Sequence, residues 1–275
     1  MGIEAENALY AGFYAGLEQR AKATALRMGS ENAPPTLKEW LANVVIPTLE
    51  NQKREGAVAI TFTAAYYRPL DFAPVPEQEA TFIYSTFVRR GTPNLESYKR
   101  LQDFIVLQVA NTAARLELPI HFHSGPGGGA QYSLSGANPL LLEQAFLNLP
   151  DTDFVLLHGG WPYSRQITSL LAKSNVFVDF SGQEYFMSPR ILADTLRYWL
   201  EYMPEKVLFG TDAYPNPKLP QASWEEFEWV NTRSARKALS LALTDMRNDG
   251  DITTARAIEL AHMVLRDNTA KLHRL

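Results

Sequence analysis

Three short apolar runs in this sequence each end in a side chain that could bind a metal ion. The terminal residues are His123, His158 and Asp212. Imidazole nitrogens and carboxylate oxygens are ligands that zinc binds readily. The pattern therefore predicts a divalent metal site, with zinc as the expected ion, formed by these three side chains. The runs span residues 119–123, 154–158 and 207–212.

Asp212 and His158 are also the predicted catalytic residues. A carboxylate beside a metal-activated water can bind the metal and accept the proton of that water. His158 could bind the metal or stabilise an oxyanion. Taken alone, a histidine at a strand end is commonly a hydrogen-bonded structural group, and a lone aspartate before a Tyr-Pro pair is commonly a turn residue. We interpret the three residues as a site because all of them end parallel strands on one side of a sheet.

Other polar residues near these strand ends suggest substrate contacts. Tyr66 and Arg68 follow the first apolar run, and an arginine at a strand end suits a carboxylate or phosphate. A surface ion pair would explain Arg68 equally well. His121 is predicted to face the same way as His123 and is a third candidate for substrate binding. The glycine-rich segment 124–129 lacks the lysine of a phosphate-binding loop and is interpreted as a flexible loop.

Side chains alternate between the two faces of a strand, which fixes how these residues should point. His121 and His123 share one face, opposite Phe122. By the same rule His158 shares a face with Phe154 and Leu156, and Asp212 shares one with Gly210 and Leu208. If Phe122 packs under outer helices, both histidines of its strand face a barrel interior. Asp179 and Glu184 flank a further strand end and could orient the metal-binding groups.

Strands alternate with helical patterns along most of the chain, which indicates a parallel α/β sheet. We expect one domain over residues 1–275, helical in 1–56 and built of β/α units in 57–275. A closed barrel of this type needs eight strands, and five are visible. We therefore expect an α/β fold of the (β/α)8 TIM-barrel type that is incomplete at its N-terminus. Expected strands are 58–66, 119–123, 153–158, 175–181 and 206–212; expected helices are 5–29, 36–56, 95–116, 139–149, 163–173, 189–203, one from Ser223 and one over 253–272; residues 69–97 are expected to form a long loop with a short helix.

Composition excludes several classes of function. The 275 residues include no cysteine, so thiolate metal sites, cysteine nucleophiles and disulfides are excluded. The net charge is −4 and no basic stripe is visible, which argues against nucleic-acid binding. No apolar run is long enough to span a membrane, and no signal peptide is visible. We expect a cytoplasmic protein whose partner is a small-molecule substrate.

The same stretches resemble the amidohydrolase-related family of metal-dependent TIM-barrel hydrolases. The resemblance is strongest to its branch of TIM-barrel metal-dependent hydrolases, which is also similar to the amidohydrolase-like half of some glutamine-synthetase fusions. It implies that His123 and His158 match the histidines of the fifth and sixth strands, and that Asp212 matches the eighth-strand aspartate, a ligand and general base. His121 matches no standard ligand of the family. The matching stretches are 119–125, 154–163, 175–182, 207–215 and 267–272.

Two departures from the family pattern stand out. The family opens with a His-x-His pair on its first strand, and no such pair lies near the start of this sequence. Thr61 stands where some relatives carry a lysine, so a carboxylated lysine between two metals is not expected. The chain thus resembles a member that lacks the first strands. Its exposed strand edges could be covered by a partner chain, for example in a homo-oligomer.

The leading hypothesis is a metal-dependent hydrolase of the amidohydrolase type, in which a metal-activated water attacks a carbonyl of a small polar substrate. Decarboxylation or uronate isomerisation at the same site is an alternative, because relatives carry out both. A catalytically inactive barrel remnant that serves as a binding module is another. The missing histidine pair favours the inactive form, and the retained strand-end residues favour an enzyme.

Overall fold

The structure, a computed structural model, describes residues 34–90, 94–128, 132–213 and 223–275. The helix expected over residues 5–29 lies outside this part of the chain. Five short runs rich in β-branched and aromatic residues form the strands, as such residues favour pleated, buried positions. The strands are β1 (Ile60–Phe62), β2 (Ile120–His123), β3 (Phe154–Leu157), β4 (Val176–Asp179) and β5 (Val207–Leu208).

The strands form one parallel sheet in the order in which they occur in the sequence. Ile60 pairs with Ile120, Ile120 with Phe154, and Phe154 with Val176, so the strands start level with one another. Among the described residues β1 and β5 are the two edges of the sheet. Because all strands run the same way, the residues that follow them collect at one edge, where α/β barrels place their functional groups.

The helices carry polar caps that the sequence shows directly. Ser188 accepts a hydrogen bond from the Ile191 amide ahead of Pro189, and Ser223 forms a reciprocal capping box with Glu226. Both helix starts were predicted. The helices are α1 (Leu37–Trp40), α2 (Ile46–Arg54), α3 (Glu77–Arg90), α4 (Leu95–Arg115), α5 (Glu143–Asn148), α6 (Thr168–Leu171), α7 (Pro189–Tyr202), α8 (Trp224–Asn248), α9 (Thr254–His262) and α10 (Asn268–His273), with π-helical turns Leu41–Val45 and Met263–Asp267 joining α1 to α2 and α9 to α10.

The main core lies between one face of the sheet and the helices. Phe122, Phe154 and Leu156 point into it and are almost fully buried. Helix α7 contributes Trp199, which is fully buried and donates its indole N–H to the Ser164 carbonyl at 2.7 Å. Since Phe122 lies under the helices, His121 and His123 lie on the opposite face of β2, as predicted.

That opposite face is covered in part by the end of the chain. Leu272 of α10 packs against Val155 and Leu208 in a small separate cluster. Beside it, the Nε2 atoms of His121 and His273 lie 3.0 Å apart. Asn268 fixes the start of α10 because its side-chain amide donates to the carbonyls of Pro204 and Val207, both at 2.8 Å.

The fold class is confirmed as α/β with a parallel sheet, and five strands are present in the described part of the chain. The strands are shorter than predicted, and β5 ends at Leu208, four residues before Asp212. No helix in the described ranges is long and apolar enough to cross a bilayer.

The prediction for residues 69–97 was wrong, because α3 occupies fourteen of them (Glu77–Arg90). Ala80, Ile83 and Tyr84 bury one side of this helix in a cluster with Leu37 and with Leu101 and Phe104 of α4. The prolines before residue 77 suggested a loop, but packing against distant helices overrides that local signal.

We expect Asn268→Ala to lower the free energy of unfolding by about 2 kcal/mol, because it removes the two hydrogen bonds that the Asn268 amide donates to the Pro204 and Val207 carbonyls. Urea unfolding followed by circular dichroism measures the change. Asn248→Ala at the exposed end of α8 is the matched control and should have little effect. Equal stability of the two variants would show that Asn268 does not anchor α10.

Candidate functional site

The chain turns sharply where β3 ends, and this turn sets the direction of His158. His158 has φ +64°, and Gly159 and Gly160 have φ +57° and +59°. A left-handed backbone is uncommon for a residue with a Cβ and costs energy. Gly159 is required here because a Cβ at this position would lie 1.9 Å from Nε2 of the Gln183 side chain and 2.5 Å from the ring of the fully buried Trp199.

This turn corrects the prediction that His158 shares a face with Phe154 and Leu156. Those two side chains lie in the main core under the helices. Strand geometry ends at Leu157, so the alternation no longer applies at His158. The left-handed backbone instead brings its ring against His123, with ring centroids 4.7 Å apart.

Asp179 at the end of β4 holds this turn in place. Its Oδ1 atom accepts hydrogen bonds from the His158 amide at 2.9 Å, the Ser181 amide at 3.1 Å and the Ser181 hydroxyl at 2.8 Å. Hydrogen bonds to a carboxylate are stronger than those between neutral groups. One carboxylate therefore ties the ends of β3 and β4 together. Asp179 thus orients His158, and the role of His158 as a metal-binding group stays a prediction.

The contacts of His158 determine which of its ring nitrogens carries a proton. Nδ1 lies 2.9 Å from the carbonyl oxygen of Ser181, which can only accept. Ser181 Oγ, 3.1 Å away, already donates its proton to Asp179. Nδ1 is therefore the N–H donor, and in the neutral ring Nε2 carries a lone pair. That lone pair faces His123 Nδ1 at 3.0 Å.

His123 is the most enclosed polar group of the site. It is 7% exposed, and its ring lies 4.5 Å from that of Tyr66 between centroids. Burial, with His158 adding to the effect and the Pro126 backbone opposing it, lowers the pKa of His123 to about 3, so the ring is neutral at physiological pH. Its Nε2 atom is buried and makes no hydrogen bond within the described part of the chain. A buried nitrogen without a partner is costly unless a ligand occupies it.

Asp212 reaches the same region through an irregular segment after β5. Its backbone is left-handed, with φ +55°, and its carbonyl accepts a hydrogen bond from the Tyr185 hydroxyl at 2.9 Å. A Cβ on Gly182 would lie 3.4 Å from Asp212 Oδ2 and 3.1 Å from His158 Nδ1. Both side chains thus face the same glycine. Burial raises the pKa of Asp212; His158 opposes this rise and Asp179 adds to it.

The two histidines lie close enough to share a metal ion after a small shift, whereas a complete ligand set is not assembled. Two nitrogens bound to one tetrahedral zinc at about 2.1 Å each are separated by about 3.4 Å. The observed separation of 3.0 Å is that of a hydrogen bond between the two rings, so the nitrogens would have to move about 0.4 Å apart to hold an ion. Within residues 34–90, 94–128, 132–213 and 223–275, no three His, Asp or Glu side chains are grouped closely enough to hold one ion. Asp212 therefore lies near His158, but Asp212, His158 and His123 do not form a ready three-ligand site.

The three predicted substrate contacts have different surroundings. Tyr66 lies against His123, inside the site. The Arg68 guanidinium instead pairs with Asp103 at 2.6 Å and lies 4.3 Å from the ring centre of Phe72. The Arg68 side chain is 8% exposed and that of Asp103 is 1% exposed, so this ion pair is buried. His121, which points to the same side as His123, pairs with His273.

Ser181 and Tyr132 belong to the site, and neither was predicted from the sequence. Ser181 orients His158, but a serine two positions after a strand end gives no signal of its own. Tyr132 packs near both Tyr66 and His123 and donates its hydroxyl hydrogen to the Gly125 carbonyl at 2.7 Å. An aromatic residue just after a glycine-rich loop is a weak signal that sequence reasoning could have used.

We expect Gly182→Ala to weaken zinc binding about tenfold, because the new methyl group would lie 3.1 Å from Nδ1 of His158 and press on that ring. Gly250→Ala is the matched control, since Gly250 also has positive φ but has no atom within 4 Å of the added Cβ. Both variants should lose similar stability from the backbone. Zinc titration with a fluorescent competitor separates them, and equal affinities would show that Gly182 has no special place in the site.

Known proteins share this fold and parts of this sequence. A presumed metal-dependent hydrolase of Lactobacillus casei ATCC 334 superposes with a TM-score of 0.74 and 23% identity, covering 94% of this chain and 64% of that protein. The uronate isomerase of Thermotoga maritima superposes with a TM-score of 0.65 at 16% identity, over 94% and 58% of the two chains. At these identities the likeness shows the fold alone.

Sequence comparison identifies the family. Protein fluG of Emericella nidulans is 29% identical over 234 residues, which are 80% of this chain and 26% of fluG. The chain thus spans about a quarter of that relative and under two thirds of the Lactobacillus structure. Residues 90–275, more than half of the chain, match the amidohydrolase family. The chain therefore belongs to the amidohydrolase family.

Proposed function

We propose that this protein is a metal-dependent hydrolase that cleaves a small polar carbonyl substrate. The observation that carries the proposal is the buried pair of His123 and His158 at the carboxyl end of the strands. A lone pair of His158 faces His123, and the outer nitrogen of His123 is buried without a partner. Enclosed, neutral imidazoles with open lone pairs are suited to bind a divalent cation.

We assign His123 and His158 as the residues that hold the ion, with Asp212 as a third ligand, and zinc as its identity. When bound, the ion would polarise a substrate carbonyl and lower the pKa of water. Ser181 fixes the tautomer of His158 in which Nε2 carries the lone pair that would bind the ion; in the structure this lone pair faces His123. Tyr66 and Tyr132 enclose His123 and keep bulk water away from it.

Asp212 is the proposed general base. Its carboxylate lies on Gly182 beside His158, at the edge where the strands end. Burial makes it a stronger base than an exposed aspartate, since its pKa is raised. It would take the proton from the attacking water and pass it on as the substrate bond breaks. His158 is a second proposed catalytic residue, because as a ligand it would hold the ion that polarises the substrate carbonyl.

Tyr66 is the predicted substrate contact whose surroundings best support that role. Arg68 and His121 remain proposed contacts, but each already has a close partner, Asp103 and His273, that it would have to leave. The substrate is a small molecule in this proposal, and a cytoplasmic location and a homo-oligomer remain predictions.

A second candidate function is isomerisation of a uronate at the same site. Its specific support is that uronate isomerases of Thermotoga maritima and Caulobacter crescentus share the fold. An inactive binding module is the third candidate, favoured by the missing three-ligand group among the described residues. Metal content and turnover distinguish all three.

We expect His123→Ala to lower zinc affinity more than about tenfold, because one of two paired ligands is lost. Mass spectrometry of metal content and competitive zinc titration of the full chain measure the loss. His262→Ala, an exposed histidine on α9, is the matched control and should keep parental affinity. Parental affinity in His123→Ala would remove His123 from the ligand set.

We expect Asp212→Asn to reduce kcat about 100-fold or more while the fold is kept, because the amide cannot accept the proton. Hydrolysis of a panel of small esters, lactones and amides by the zinc-loaded chain provides the rates. Asp151→Asn, at an exposed turn, should leave kcat unchanged. An unchanged kcat in Asp212→Asn would rule out its role as base.

A further inference from the structure

A groove of about 400 Å³ runs along the outside of the molecule between α8 and α9. It shares no lining residue with the candidate site. Leu239 and Leu243 of α8 form its floor, and Ile258 of α9, which is exposed, forms one wall. The groove is therefore an apolar surface that no described part of the chain covers.

Two arginines of α8 give this groove a positive rim. Arg236 and Arg247 are exposed and line it together with Ser240 and Thr244. Arg247 donates a hydrogen bond to the side chain of its neighbour Asn248 at 2.9 Å. Within the described ranges, neither arginine forms an ion pair with a carboxylate. A matching occupant would carry an apolar group for the floor and a negative charge for the rim.

The first half of the same helix carries such groups. Trp229 is 62% exposed, and the guanidinium of Arg233, one turn further on, lies 4.8 Å from its ring centre. Glu225, one turn before Trp229, is exposed and makes no hydrogen bond or ion pair with any described residue. Exposed aromatic rings of this size commonly anchor protein interfaces. The chain thus carries both a groove and a surface of complementary chemistry.

The complementary groups share one face of α8. Eleven residues make about three turns of an α-helix and seven make about two, so residues at these separations point the same way. Glu225 and Arg247 are each eleven residues from Arg236, and Trp229 and Leu243 are each seven residues from it. An antiparallel second α8 centred at the same arginine therefore brings Glu225 to Arg247 and Trp229 to Leu243, in both directions.

We propose that this protein forms a two-fold dimer in which Trp229 of each copy enters the groove of the other. Such an interface must be self-complementary, and each of its contacts occurs twice. The indole covers Leu243 and Ile258 and supplies most of the binding energy. Glu225 pairs with Arg247 at the rim, where an ion pair chiefly fixes the register. The homo-oligomer contact then lies on helices, and the strand edges β1 and β5 take no part in it.

The arrangement contains one unfavourable contact, which makes it distinguishable from other uses of the groove. Arg236 lies at the two-fold axis and meets the same residue of the other copy, and like charges repel. Arg236→Ala should therefore tighten the dimer about threefold or more, whereas Arg247→Ala should weaken it about threefold or more. A groove that bound an unrelated acidic partner would lose affinity when either arginine was removed.

Sedimentation equilibrium of the full chain measures the dimer directly. We expect a dissociation constant below about 20 μM for the parent. Trp229→Ala should raise this constant at least about 100-fold, because an aromatic anchor is lost from both copies. Phe82→Ala removes an aromatic side chain that is 70% exposed on α3, and as the matched control it should leave the constant unchanged.

Exchange of the rim charges tests the register without removal of the aromatic anchor. Glu225→Arg and Arg247→Glu should each weaken the dimer at least about tenfold, because each substitution brings like charges together twice. The variant with both substitutions should return to within about threefold of the parent. Glu96→Arg, on the exposed start of α4, is the matched control and should have no effect.

Several results would overturn the dimer. They are a parent that stays monomeric at about 200 μM, a dimer that survives Trp229→Ala, a double charge variant no tighter than the single ones, and a weaker dimer in Arg236→Ala. A monomeric parent that binds octanoate, with binding lost in Arg247→Glu, would make the groove a site for a small anionic amphiphile instead. Circular dichroism checks the fold of each variant; if Trp229→Ala does not fold, the charge exchange alone decides.

Discussion

The carboxylate of Asp179 is the group on which the candidate site depends. It accepts hydrogen bonds from the backbone of His158 and from both the backbone and side chain of Ser181. A hydrogen bond to a charged group contributes about 1.5 to 3 kcal/mol. A non-glycine residue in a left-handed backbone costs about 1 to 3 kcal/mol. The contact to the His158 amide is therefore of the right size to offset the strain at that residue.

The orientation of the histidines follows from this one contact. With its backbone held by Asp179, His158 meets Ser181 through Nδ1 and turns Nε2 toward His123. Ser181 is available as an acceptor because its own proton goes to Asp179. The strained turn is thus supported by neighbours at each step, which is how proteins keep unfavourable backbone at functional sites.

The sequence predicted the strand ends well and the site contacts only in part. Apolar runs before His123 and His158 located β2 and β3 to within a residue or two, because buried parallel strands have a strong compositional signal. The direction of His158 could not be predicted, since alternation fails where the backbone becomes left-handed. Arg68 was ambiguous for a different reason. Its partner Asp103 lies 35 positions away on α4, and such a pairing leaves no local pattern.

Glu184 also shows that an electrostatic property of the folded chain cannot be predicted from a local sequence pattern. Its sequence position predicted a place near a strand end, and the structure agrees, but its burial is a property of the folded chain. Burial also constrains chemistry in a way that family membership does not. Three carboxyl groups, on Asp179, Glu184 and Asp212, lie close enough to act on one another, and the histidine that faces them is His158. A divalent metal ion would bring positive charge to these carboxyl groups. A uronate would add a fourth carboxylate, and Arg68, the basic residue predicted to meet such a group, is committed to Asp103.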